Sequence, residues 1–257
     1  MSLQCRTRGF AALAVLNLAL MLVVARSQSA GAAEPAAAAT AAPVEGKLCD
    51  TQNSKACQSA VTPDQVLDAL KQGNQRFAQG LMTQRSYSTQ VRETAAGQFP
   101  VASIVSCIDS RVPAEIVFDR GIGDVFNARV AGNIVNPDIL GSLEYASKVA
   151  GSKLIVVLGH SHCGAIKGTC DGVKMGNLTG LLAKIQPAVN AVHTKPGEDR
   201  TSKNHHFVEE VAERNVKDTV QAIRKHSHIL QDMEAQGEIG IVGAMYDVET
   251  GQVAWLE

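Results

Sequence analysis

The sequence lacks an excess of either charge. Its 24 Lys and Arg against 25 Asp and Glu leave a formal net charge of −1 over 257 residues. No basic stripe is present to displace the counterions of a nucleic acid. The expected partner is a small molecule or a second copy of the chain, with no nucleic acid. The signatures of several common chemistries are missing too. No Cys-x-x-Cys pair occurs, which argues against a thioredoxin-like redox role. Gly121-x-Gly123 has no third glycine at Phe126, so the dinucleotide fingerprint fails. Gly159-x-Ser161-x-Cys163 misses the last glycine of a nucleophile elbow. There is no internal repeat.

The N-terminal part reads as a targeting segment. Arg6 and Arg8 precede an apolar run from Phe10 to Ala25 broken only by Asn17, and the small residues Ala30-Gly31-Ala32 follow. Residues 1–32 are expected to be a Sec-type signal peptide, the alternative being an uncleaved anchor. The run is shorter than the ~20 residues of a usual membrane span. The mature chain is therefore expected to be periplasmic or secreted, without stable membrane insertion. Residues 33–61, rich in Ala and Pro, read as a flexible leader, and 62–257 as one domain with one core. Cys49 and Cys57 are close enough to close a small loop in an oxidising compartment. Cys170 reads as a buried small hydrophobe.

Thr62-Pro63 opens a helix carrying Val66, Leu67, Leu70 and Phe77, stopped by Gly80. Val101–Ser106 and Leu154–Leu158 are short β-branched runs of the kind that form buried parallel strands. A weaker strand is expected over Asp124–Ala128, and a helix after Asn136-Pro137. The region from Gly176 to about Ala191 reads as helical, and so does a long stretch from His206 to about Met233. Ile239–Val248 and Gln252–Leu256 read as closing strands. Alternation of strands and helices predicts an α/β fold. Its central sheet is mostly parallel, flanked by helices, with an antiparallel C-terminal edge strand.

Two of these strands end in residues that suit a soft metal. Cys107 follows the first, in Cys107-Ile108-Asp109-Ser110-Arg111. His160-Ser161-His162-Cys163 follows the third. Two thiolates and an imidazole are zinc-preferring ligands, and three protein ligands leave the fourth position of tetrahedral zinc open for water. His160 and Cys163 lie at i and i+3 across a turn and can point to one centre, while His162 should point elsewhere. Zinc at an open site makes water a nucleophile near neutral pH. Asp109 can accept a hydrogen bond from that nucleophile, and Arg111 can hold Asp109 by a bidentate pair.

Together with Gly123-Asp124-Val125-Phe126, Arg129-Val130-Ala131-Gly132-Asn133 and Gly159-His160-Ser161-His162-Cys163-Gly164, these residues resemble the β-class carbonic anhydrases. The resemblance covers roughly Thr62 to Glu257. It implies reversible hydration of carbon dioxide to bicarbonate and a proton, with one Zn2+ per chain on Cys107, His160 and Cys163, and an Asp109–Arg111 dyad. It further implies that Gln98 and the Gly164 amide bind substrate oxygens and that Phe126 forms an apolar wall. The plant-like subtype has a pocket tyrosine that is not found over Asn136–Ser142. Ile104 stands where the bicarbonate-inhibited subtype has tryptophan, so Arg129 alone is not expected to build that inhibitory site. The family assembles as dimers or tetramers with active sites at the interface. Two other readings of the same residues are a hydrolase of carbonyl sulfide or carbon disulfide, and a non-catalytic zinc module.

Overall fold

The structure is a computed structural model in which residues 54–256 are described. The expected signal peptide, Cys49 and most of the expected leader lie outside that range. The helices are α1 (Lys55–Ala60), α2 (Pro63–Ala78), α3 (Tyr87–Thr94), α4 (Ala114–Val117), α5 (Pro137–Glu144), α6 (Gly164–Cys170), α7 (Gly176–Leu182), α8 (Gln186–Ala191), α9 (His205–His226) and α10 (His228–Ala235). The strands are β1 (Ala102–Ser106), β2 (Val125–Arg129), β3 (Leu154–His160), β4 (Gly240–Tyr246) and β5 (Val253–Leu256).

The strands form one sheet in the order β2-β1-β3-β4-β5. The first four are parallel and β5 runs antiparallel to β4. β1 and β3 are buried along their whole length, as expected for central strands covered by helices on both faces. From β1 the chain passes first to one side, to β2, and then to the other, to β3. The sheet therefore has its switch point between the carboxyl ends of β1 and β3, the position where α/β sheets bind ligands. Register makes the meeting specific. Ser106 pairs with Leu158, so the next residue on each strand, Cys107 and Gly159, lies at the same level, with His160 one residue beyond. Gly159 must be glycine: a Cβ there would lie 2.5 Å from Val216 on α9 and 2.6 Å from the Met245 sulfur.

The capping of α2 follows its sequence signal. The Thr62 hydroxyl accepts from the Gln65 amide, and the Gln65 side chain accepts from the Thr62 amide. Elsewhere the local signals are broken by tertiary contacts. The long helix expected over His206–Met233 is two helices, because Ser227 is extended (φ −126°, ψ 100°) and caps α10 by accepting from the Leu230 amide. Its hydroxyl donates to Glu144 Oε1 at 2.6 Å, which anchors the break to α5. The helix expected over Gly176–Ala191 is likewise two, α7 and α8. Within the stretch read as leader, α1 is attached to the folded body. The buried Gln58 amide donates to the Pro100 and Ala150 carbonyls, both at 2.8 Å. Cys57, beside it, is disulfide-bonded. Among the described residues, no helix is long and apolar enough to cross a membrane.

Candidate metal centre

Cys107, His160 and Cys163 converge at the switch point. Their ligand atoms all lie within 4.8 Å of one another, and each residue is at most 4% exposed. The imidazole is poised for one role. Its Nδ1–H donates to the Ser161 carbonyl at 2.9 Å, which leaves the lone pair on Nε2. That atom is buried and has no hydrogen-bond partner. An unpaired buried polar atom costs about 1–3 kcal/mol, and a metal ion held by this set would remove that cost. Ser161 is itself pinned: its amide donates to the Tyr246 carbonyl and its hydroxyl to Asp247 Oδ1. The orientation of His160 is thus set from the end of β4.

The sulfurs are tuned in opposite directions. A hydrogen bond from the Cys163 thiol, with lesser ones from the Gly132 and Asp109 amides, holds Cys107 below its usual pKa against the opposing effect of burial. The shared proton and burial push Cys163 up. Without metal the pair therefore keeps one proton at neutral pH, and a metal that takes both sulfurs must displace it. Apparent zinc affinity should rise about tenfold per pH unit through the neutral range, the slope for one released proton. Chelator competition at several pH values measures it, and a flat dependence would remove the shared proton from this account.

Asp109 stands at the rim. Its Oδ1 accepts from the Arg111 amide at 3.0 Å and from Nε at 2.9 Å, and its Oδ2 accepts from Nη2 at 2.8 Å. Oδ2 lies 3.9 Å from His160 Nε2. The carboxylate is thus beside the centre but held back by the guanidinium, which also holds its carboxyl well below the usual carboxylate range. Arg129 clamps the same loop, donating from Nε to the Cys107 carbonyl at 2.9 Å and from Nη2 to the Asp109 carbonyl. Gly164 opens α6 directly after Cys163 and is exposed, and a Cβ on it would meet nothing within 4 Å. His162 turns away as expected. It adopts φ 56°, and its Nε2 faces Glu249 Oε1 at 3.0 Å.

The remaining two expected substrate residues are not at this centre within one chain. Phe126 pairs with Ser103, four residues before Cys107, or about 13 Å down the strand. Gln98 is exposed and precedes Val101, itself about 20 Å of strand from Cys107. Phe126 instead lines an open groove of about 640 Å³ with Ser103, Ala128, Pro137, Gly141 and Tyr145. Tyr145, three residues beyond the Asn136–Ser142 stretch, lines the same groove and is 55% exposed. Sequence reasoning also missed Asn215, whose signal is an amide within the mostly apolar buried stripe of α9.

A buried Cys–His–Cys set next to a fixed carboxylate could hold one metal ion beside a group able to align water, the arrangement of a mononuclear metal site. Comparison with known proteins narrows the class. A family model described as carbonic anhydrase matches residues 102–253. Carbonic anhydrase 2 of Mycobacterium tuberculosis is 38% identical over 190 residues, 72% of this chain and 88% of that protein. The carbonic anhydrase of Mycolicibacterium smegmatis is 36% identical, covering 72% and 89%. Among solved structures, a β-carbonic anhydrase from Coccomyxa in complex with acetazolamide superposes with a TM-score of 0.58 at 26% identity, covering 74% of this chain and 84% of that one. One of two tetrameric β-carbonic anhydrases from Sordaria macrospora gives 0.56 at 26% identity, covering 64% and 84%. The chain belongs to the carbonic anhydrase family, in its β class.

Proposed function

We propose that this protein catalyses the reversible hydration of carbon dioxide to bicarbonate and a proton. The observation that carries the reading is the buried Cys107–His160–Cys163 set, with its unpartnered Nε2, beside an intact Asp109–Arg111 pair. One zinc ion per chain fits these donors. Bound there, it supplies the Lewis acid that makes water nucleophilic near neutral pH. Asp109, ionised and acceptor-only, takes a hydrogen bond from the attacking water and so aims its lone pair. Arg111 keeps that carboxylate from reaching the metal. In this reading the substrate lies beside Gly164, whose amide N–H donates to a substrate oxygen.

The apolar wall comes from a second copy in this proposal. Phe126, Tyr145 and Gln98 lie far from their own chain's ligands, so they serve the centre of a partner in a homodimer or homotetramer. The tetrameric Sordaria proteins support such an assembly. Ile104 in place of tryptophan supports the plant-like subtype without bicarbonate inhibition. The N-terminal segment supports export to the periplasm.

Stopped-flow hydration of carbon dioxide, with zinc content measured on the same sample, tests the activity. Turnover well above the buffer rate with zinc near one per chain is expected. A zinc-loaded protein inactive from neutral to mildly alkaline pH would rule it out. Assaying carbonyl sulfide and carbon disulfide in parallel separates the hydrolase alternative.

A further inference from the structure

The geometry points to Asn215 as a positioning residue for the metal centre, acting through Gly132 on the Cys107 sulfur. The inference rests on the zinc reading above. Asn215 sits on the buried face of α9 beside Val211, Ala212, Val216 and Thr219. An amide placed there has given up water and needs a bond in return. Its Nδ2 donates to the Gly132 carbonyl at 2.8 Å, across 83 residues of chain. The Gly132 N–H in turn donates to Cys107 Sγ at 3.4 Å.

Local preference alone does not fix the direction of Gly132, since glycine is permissive. It has φ 74°, and the next residue, Asn133, is also left-handed at φ 43°. Glycine and asparagine enter this region more readily than other residues, so the turn is locally permitted and the surroundings select it. Two contacts do so here. A Cβ on Gly132 would lie 2.5 Å from Ile185 Cδ1 and 3.3 Å from Ala165 Cβ, so the backbone is pressed against α6 and the segment before α8. The Asn215 bond holds it from the α9 side. Without that bond the turn relaxes and the Gly132 N–H leaves the sulfur.

The consequence is chemical. Two thiolates donate more charge to a metal than imidazoles do, which weakens its pull on water. An N–H bonded to sulfur draws some of that charge back, and such partners set the properties of a metal centre. Cys163 receives amides from Ala165 and Ile166 as part of the start of α6. Cys107 receives the amide of Asp109, two residues on, and that of Gly132, whose turn is held by the packing of Ile185 and Ala165 together with the Asn215 side chain. Asn215 is therefore a distant side chain through which the protein adjusts the donor strength of one ligand.

Cobalt-substituted protein reads the sulfur directly. In Asn215→Leu the thiolate-to-cobalt charge-transfer band should move to longer wavelength. In the zinc form kcat should fall about tenfold with KM unchanged. Asn215→Gln keeps an amide donor and should fall between Asn215→Leu and wild type. Thr219→Val, one turn along the same buried face, should match wild type in both readouts. An Asn215→Leu protein that folds, binds cobalt and keeps the wild-type band overturns the assignment. If that variant does not fold, cadmium-113-loaded wild-type protein decides. A scalar coupling from the Gly132 amide proton to the metal through sulfur supports the proposal, and its absence overturns it. A wild-type protein with no thiolate-to-cobalt band rejects the metal reading itself.

Discussion

Cys163→Ser should give a folded protein that holds no zinc at equilibrium and hydrates carbon dioxide at the buffer rate. A serine hydroxyl is a hard donor that stays protonated at neutral pH, so it does not replace a soft thiolate. Removing it leaves two protein ligands, one short of a stable site. The fold should survive because most of the core lies elsewhere. One cluster packs Leu70, Ile104, Phe118, Val156 and Leu158 between the sheet and α2. Another packs Val157, Val216, Ile223 and Leu230 beneath α9 and α10. Only the third cluster includes Cys107 and Cys163, and there they join Ile166, Ile185 and Phe207. The metal still adds stability by mass action. Free zinc at ~1,000 times its Kd contributes about 4 kcal/mol, which for a domain of this size is about 8–16 °C in Tm. Chelation of the wild type should lower Tm by that amount without unfolding it at room temperature, and Cys163→Ser should not respond to added zinc. Elemental analysis with differential scanning fluorimetry reads both. A variant that still carries stoichiometric zinc would remove Cys163 from the ligand set, and wild-type protein that unfolds on chelation would make the site structural.

The ligands were legible because each stands immediately at the end of a buried strand. A β-branched run stopping at Cys107 and another reaching Gly159-His160 imply parallel neighbours, and parallel neighbours bring their carboxyl ends together. The choice of His160 over His162 was also local, since the i, i+3 spacing to Cys163 survives the turn. What the sequence hid depends on contacts without a local pattern. Ser227 breaks a helix whose apolar periodicity runs straight through it, because Glu144, 83 residues earlier, takes its hydroxyl. Asn215 reaches Gly132 over an equal span. Gln98 and Phe126 lie at the far end of β1 and β2 from their own chain's Cys–His–Cys set. A one-dimensional motif match carries no such distance.

Asp109→Asn should lower kcat/KM for hydration by about 10²–10⁴, the usual range for a positioned proton acceptor, and leave zinc in place. The two atoms that Arg111 holds explain why an isosteric change is so costly. Arg111 offers only donors, and both carboxylate oxygens now accept from it. An asparagine there satisfies the guanidinium with its one oxygen and must turn its NH2 toward the centre. A donor then faces the lone pair that Asp109 was placed to aim, so the polarity of the contact is reversed. The dyad is partly exposed, so its loss should cost no more than about 1 kcal/mol of stability, and the activity loss cannot be read as unfolding. The pH dependence follows from the same pair. Arg111 holds the Asp109 carboxyl well below the usual carboxylate range. A depressed pKa means the ionised, paired form persists above it and is lost only as pH falls through that low value. The wild-type rate profile should therefore have no limb near pH ~4 arising from Asp109, where an unpaired carboxylate would titrate. Arg111→Lys, which cannot form the bidentate pair, should bring such a limb back toward ordinary carboxylate values while zinc stays bound. If Asp109→Asn loses its zinc, the carboxylate is a ligand and the division of labour drawn here is wrong. If it keeps full activity, the nucleophile is aimed by some other group.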